Sequence, residues 1–392
     1  MKKLIFTTLI FTLFGQIVFA QDGITTEELA GSNNTLEYSA SFLTIATDSR
    51  AGAMGDVGAA TSPDYNSMHW NPAKYAFIDS DMGISASFTP WLRQLVNDIN
   101  LYNVSFYKRI DNKQTVAATL LYFDLGDIQF TDEYGEYNGQ HTPYEMSLDI
   151  AYARSFSERI SGAIAFRYIR SDITGGAFVG DAETKPGNAA AADIAMYYVN
   201  DDIMLADKNG TFSFGINISN LGNKISYTEV EKDFLPANLK IGAAYKYEAD
   251  DYNSITLAFD INKFLVPTPP ATNGDTIIAG YDPDVSVPEG LIQSFYDAPG
   301  GWEEELHELK YSVGLEYWYA NQFAVRGGYF HEHATKGNRK YFSLGAGLKL
   351  NVFTIDFSYL LPVKQNNPLA NTIRFTLGLD FQAFRKSQRE NG

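Results

Sequence analysis

Five histidines stand at positions 69, 141, 307, 331 and 333, and only His331-Glu332-His333 has a spacing that invites chemistry. On an extended chain residues two apart point to one side, so both imidazoles could share a metal ion. A solvated strand end accounts for the same triplet without one. The chain has no cysteine, which removes disulfides, thiolate nucleophiles, cysteine zinc sites and iron–sulfur clusters together. Serine hydrolysis needs its nucleophile on a strained elbow such as Gly-x-Ser-x-Gly, and the sequence has none. The glycine-rich stretch Ala51 to Gly58 lacks both the lysine and the preceding buried strand of a phosphate loop. Tyr281-Asp282-Pro283-Asp284 carries two acids around a proline, fewer ligands than a dedicated calcium loop. These residues point away from an enzyme, a cofactor or a bound metal.

The connection 264–308 holds more. It has six prolines, nine acidic residues and no Lys or Arg, together with Leu291, Ile292, Phe295 and Tyr296 at helical spacing and Trp302 beyond them. Loops of this length are functional or disordered. A disordered acidic loop has few large apolar residues, so the cluster predicts a surface that folds onto the barrel mouth or onto a partner. Leu291, Phe295, Tyr296 and Trp302 are its candidate anchors for a partner.

The elements that position these residues follow from composition and pattern. The chain has 392 residues, 30 Lys plus Arg against 47 Asp plus Glu, 27 Phe, 25 Tyr and 32 Gly. A formal charge of −17 leaves no basic face for nucleic acid. Residues 1–20 read as a secretory signal: Lys2 and Lys3 precede an apolar stretch from Leu4 to Val18 that ends in Val18-Phe19-Ala20. No later apolar run approaches the roughly 18 residues of a membrane helix. From about residue 83 the sequence instead repeats segments of about ten residues with period-two alternation, the pattern of an outer-membrane barrel. In the last one, Ile373, Phe375, Leu377, Leu379 and Phe381 share a face opposite Thr372, Arg374, Thr376, Gly378 and Asp380.

Segments near 83–89, 99–109, 114–125, 143–155, 159–172, 188–199, 210–219, 238–248, 252–264, 309–319, 321–331, 339–350, 351–361 and 371–381 predict an all-β, 14-stranded antiparallel transmembrane β-barrel. It closes between the strand near Gly83 and the strand near Phe375, because an open edge in lipid would leave backbone groups unsatisfied. Tight turns near Asp111, Phe156, Ala249, Ala320 and Asn351 belong on the periplasmic side, with longer loops outside; Asp201 to Lys208 is a moderately long exception. The inward face carries Asp149, Arg167, Lys246, Asp260, Glu316, Arg326, Lys349, Asp356 and Arg374. Asp356 and Arg374 share a face on adjacent strands and are expected to pair. Residues 21–80 break the strand pattern and are rich in small residues, which predicts an N-terminal plug or hatch folded in the lumen. The barrel then spans 81–384, with 385–392 as a C-terminal tail.

The stretch Phe42-Leu43 through Asp48-Ser49-Arg50-Ala51-Gly52-Ala53-Met54-Gly55-Asp56, followed by Asp64 and Trp70-Asn71-Pro72-Ala73, resembles the N-terminal hatch motif of FadL-like outer-membrane barrels. Within them it is most similar to the PorV (LptO) family of the type IX secretion system. The resemblance implies an outer-membrane barrel in lipid that binds the C-terminal signal domain of secreted cargo. It further implies that cargo arrives from the translocon barrel and leaves to the cell-surface sortase, or attachment, complex. It assigns the hatch motif to Arg50, Gly52, Met54, Gly55, Asp64, Asn71, Pro72 and Ala73. The alternative is a FadL-type channel for hydrophobic small molecules, for which a mixed-charge lumen is a poor path.

Overall fold

The computed structural model describes residues 33–131, 134, 137–176, 178–179, 182–205, 207–229, 231–364 and 367–381. The expected signal 1–20 and tail 385–392 lie outside the described residues. Fourteen strands form a closed antiparallel barrel. They are β1 (Met82–Pro90), β2 (Asn100–Arg109), β3 (Gln114–Asp124), β4 (Tyr144–Ser155), β5 (Ile160–Asp172), β6 (Gly187–Leu205) and β7 (Lys208–Gly222). After them come β8 (Asn238–Glu248), β9 (Asn253–Phe264), β10 (Lys310–Tyr319), β11 (Phe323–His331), β12 (Lys340–Lys349), β13 (Phe353–Pro362) and β14 (Ile373–Asp380).

Closure runs from Gly83 opposite Asp380 to Phe88 opposite Phe375, as the sequence predicts. Alternation does the sorting. One parity buries small and polar groups such as Ser85, Ser87, Ser105, Thr119 and Ser147, while the other exposes Ile164, Phe166, Ile194, Leu257 and Leu377. The exposed set is the lipid band. Phe88, Tyr102, Tyr122 and Tyr144 stack from strand to strand at the outer ends of β1 to β4, with successive centroids 5.3, 6.4 and 5.7 Å apart, an aromatic girdle at the membrane interface.

One connection departs from expectation. The stretch Asp201 to Lys208 is mostly strand, because β6 and β7 continue past their neighbours and pair Ile203 with Gly210, Met204 with Asn209 and Leu205 with Lys208. A register shift between Asn200 and Ile203 breaks the alternation there, which hides the extension from a period-two reading.

Residues 40–78 lie against the inward faces of the strands. The 3₁₀ helix Pro72–Phe77 sets Tyr75 among Tyr107, Tyr197 and the alanines 117, 151, 153, 163 and 165. Alanines on the wall leave the room that this helix fills. Phe42 packs with Leu101, Leu121, Phe123 and Ile169. Phe42 and Met54 are fully buried, each worth about 1.5–3 kcal/mol relative to exposure.

Candidate functional site

The hatch motif folds locally before it meets the wall. Asp48 caps the short helix Ser49–Gly52: one carboxylate oxygen accepts from Ala51 N at 2.9 Å and the other from Trp70 Nε1 at 2.6 Å. Asn71 Oδ1 accepts from Ala73 N at 3.0 Å and caps the next turn, where Pro72 loses nothing by lacking a donor. Asn71 Nδ2 donates to Ala59 O at 2.9 Å and Met196 O at 3.0 Å. Gly55 takes a positive φ of 69°, which glycine adopts without strain, and its N donates to Ser343 Oγ at 2.8 Å. Met54 is fully buried in the same turn.

Arg50 then reaches the wall. Its guanidinium grips Glu316 with two bonds of 3.0 and 2.9 Å and Asp64 with one of 3.0 Å. Glu316 also takes Arg326 Nε at 2.7 Å, and Arg326 Nη1 reaches Asp356 at 2.6 Å. Arg326 is on β11 and Asp356 on β13, so this bond spans β12. It passes over Gly347, where a Cβ would collide with both side chains.

The expected Asp356–Arg374 pair does not form. The register sets Asp356 opposite Thr376 and Arg374 opposite Ser358, two residues out of step, and Asp356 takes Arg326 instead. Arg374 is buried over Gly52. Its Nε and Nη1 have no hydrogen-bond partner among the described residues. Of the other inward charges, Asp149 and Asp193 share Arg167, Lys349 is exposed at the strand end, and Lys246 bonds Glu248 at 2.9 Å. Asp260 Oδ2 accepts from Gly58 N and Ala59 N at 2.8 and 2.9 Å. Lys74, which pattern reading overlooked, is buried with its Nζ on Gly58 O at 2.9 Å and Thr61 Oγ1 at 3.1 Å. No strand period covers it, so no face could be assigned to it.

Outside, residues 265–309 carry the short helices Val287–Gln293 and Trp302–His307. Among the candidate anchors Phe295, Tyr296 and Trp302 are 46%, 54% and 74% exposed, and Leu291 is half-buried. Ile292 is 65% exposed and belongs with them. Tyr296 meets Tyr281 edge to face at 5.5 Å. The acids divide into two groups, contrary to a purely surface role. Lys263 of β9 bonds Glu305 at 3.0 Å and Glu308 at 2.6 Å, and Lys336 bonds Glu304 at 2.6 Å and Glu308 at 3.0 Å. Asp297 is fully buried, its Oδ2 accepts from Thr268 N at 3.0 Å, and burial pushes its pKa up to about 6. Burial also works on Glu304, but the Lys336 ammonium outweighs it and holds that carboxyl below its ordinary range. Asp275, Asp282, Asp284, Glu289 and Glu303 stay at the surface.

The histidine triplet separates. The strand ends at His331, and His333 turns to stack on His307 with ring centroids 3.5 Å apart and an interplanar angle of 6°. The stack ties the second loop helix to the β11–β12 connection.

The likeness to solved structures is distant. The toluene transporter TodX of Pseudomonas putida is 11% identical, with 84% of this chain and 96% of that one covered and a TM-score of 0.47. A FadL homologue of Pseudomonas aeruginosa is 11% identical, covering 89% of this chain and 100% of that one, with a TM-score of 0.45. No curated protein matches the chain. The model of the family described as type IX secretion system protein PorV matches residues 28–271, more than half of the 392 residues. This closed fourteen-strand barrel therefore belongs to the PorV family, whose members are outer-membrane transport proteins and not enzymes.

Proposed function

We propose that this barrel holds secreted cargo at the cell surface, binding the cargo's C-terminal signal domain, receiving it from the translocon barrel and passing it to the sortase attachment complex. The outer loop carries this reading. Phe295 and Tyr296 stand exposed in the turn after the first short helix, and Trp302 at the start of the second, which buried ion pairs fasten to the barrel. Interfaces concentrate their energy in a few aromatic anchors, and anchors already held in place lose less freedom on binding. Residues 33–80, the described part of the expected hatch 21–80, act as a plug, tied to the wall through Arg50, Gly55 and the Asp260 carboxylate. A FadL-type channel for hydrophobic small molecules needs a continuous apolar path, and the buried ion pairs that join Arg50 to Glu316, Arg326 and Asp356 along the inner wall are a poor lining for one.

The test is the double variant Phe295→Ala with Tyr296→Ala. The barrel remains folded and inserted, while cargo accumulates unattached inside the cell or is lost to the medium. Normal cargo display by the double variant would place the binding surface elsewhere and reduce the loop to a cover.

A further inference from the structure

Between the hatch and the outer halves of β5, β8, β9 and β10 lies a cavity of about 80 Å³. Arg167, Lys240, Lys310 and Arg339 line it, against the single carboxylate Asp56. The acids that neutralise three of these cations lie behind the lining. Arg167 is held by Asp149 and Asp193, while Lys310 and Arg339 share Glu332 at 3.0 and 2.8 Å. Asp56 in turn accepts from the Tyr341 hydroxyl.

Lys240 differs from the other three. It is 7% exposed, its Nζ stands 4.1 Å from the centre of the Trp70 ring, and no ion pair or hydrogen bond holds it among the described residues. The Asp260 and Asp56 carboxylates act on it without bonding to it, burial of an ammonium not directly paired is costly, and a ring face returns only about 2 kcal/mol of that cost. Asn220 and Asn262 add amide groups to the same wall, and Phe264 and Phe330 add apolar rings.

We propose that this cavity binds a small organic carboxylate, with its charged end at Lys240 and its short apolar end toward Phe264 and Phe330. Volume sets the class. At about 10–15 Å³ per water, the cavity holds a handful of waters, enough for a molecule the size of propionate. Trp70 and Asp56 belong to the hatch and Lys240 and Lys310 to the wall, so the bound acid bridges the two. The inference does not depend on the cargo-binding reading.

The test titrates sodium propionate and sodium octanoate into the full chain, purified in detergent in chloride-free buffer, and follows binding by calorimetry. One propionate binds per barrel, and octanoate binds at least tenfold more weakly. Lys240→Met weakens propionate at least tenfold, Lys240→Arg stays within threefold of the parent, and Lys113→Met on an exposed turn changes nothing. Absence of propionate binding in the parent, equal binding by Lys240→Met, or octanoate binding as tightly as propionate each overturns the proposal. If Lys240→Met fails to fold, seen as loss of heat-modifiable migration, the two ligands on the parent and the Lys240→Arg variant decide.

Discussion

Glu316 holds two guanidinium groups at once, one from the hatch and one from the neighbouring strand, and is buried while doing so. Removing one member of such a group leaves charge without compensation, at a cost of about 3–5 kcal/mol. Glu316→Gln should therefore lower the urea midpoint of the detergent-solubilised barrel far more than Arg159→Ala, whose partner Asp202 sits at the surface, where pairs contribute about 1 kcal/mol or less. Equal losses would show that the inner network carries no special weight. Asp297 sets a pH dependence of the opposite sense to an ion pair. Its carboxyl is raised to about 6 when the loop is docked, against about 3.9 when free. Docking is thus fully favoured below about pH 4 and weakens as pH rises from there through 6. Hydrogen exchange of residues 265–309, corrected for intrinsic rate, should speed up from pH 5 to 7 in the parent and stay flat in Asp297→Asn. A parallel rise in both would assign the change to another group.

At the scale of elements, β11 and β12 depend on glycine where the hatch touches them. A Cβ at Gly328 would fall on the Met54–Gly55 peptide, and backbone cannot rotate aside as a side chain can. Gly328→Ala should expose residues 50–58 to protease in an otherwise folded barrel, and unchanged protection would contradict the close contact. Strand identity, closure and the inward face were legible in the sequence because one parity meets lipid and the other a packed lumen. Pairing across strands was not. Asp356 and Arg374 share a face, yet the register offsets them by two positions, and register is a property of the assembled sheet. Lys263 escaped for a related reason: at the end of β9 the loop covers both parities, so residues 262 to 264 are all buried. The aromatic cluster near Phe295 was legible as an apolar group at helical spacing, whereas its anchoring acids looked like any solvated acidic run.

As a whole the molecule joins a closed barrel, an N-terminal segment bonded to its inner wall through Arg50, Gly55, Gly58 and Ala59, and an outer loop fixed to the rim by buried ion pairs. Outside the membrane band the loop exposes Ile292, Phe295, Tyr296 and Trp302. Patches of that kind mark interaction sites. The direct measurement is photocrosslinking in whole cells from single positions at Ile292 and Phe295, with exposed Lys113 as control, followed by mass spectrometry of the adducts. The account predicts adducts with the C-terminal signal domains of secreted cargo at both loop positions and none at the control. Loop positions that yield no cargo adduct, while cargo is still displayed at the surface, would contradict it.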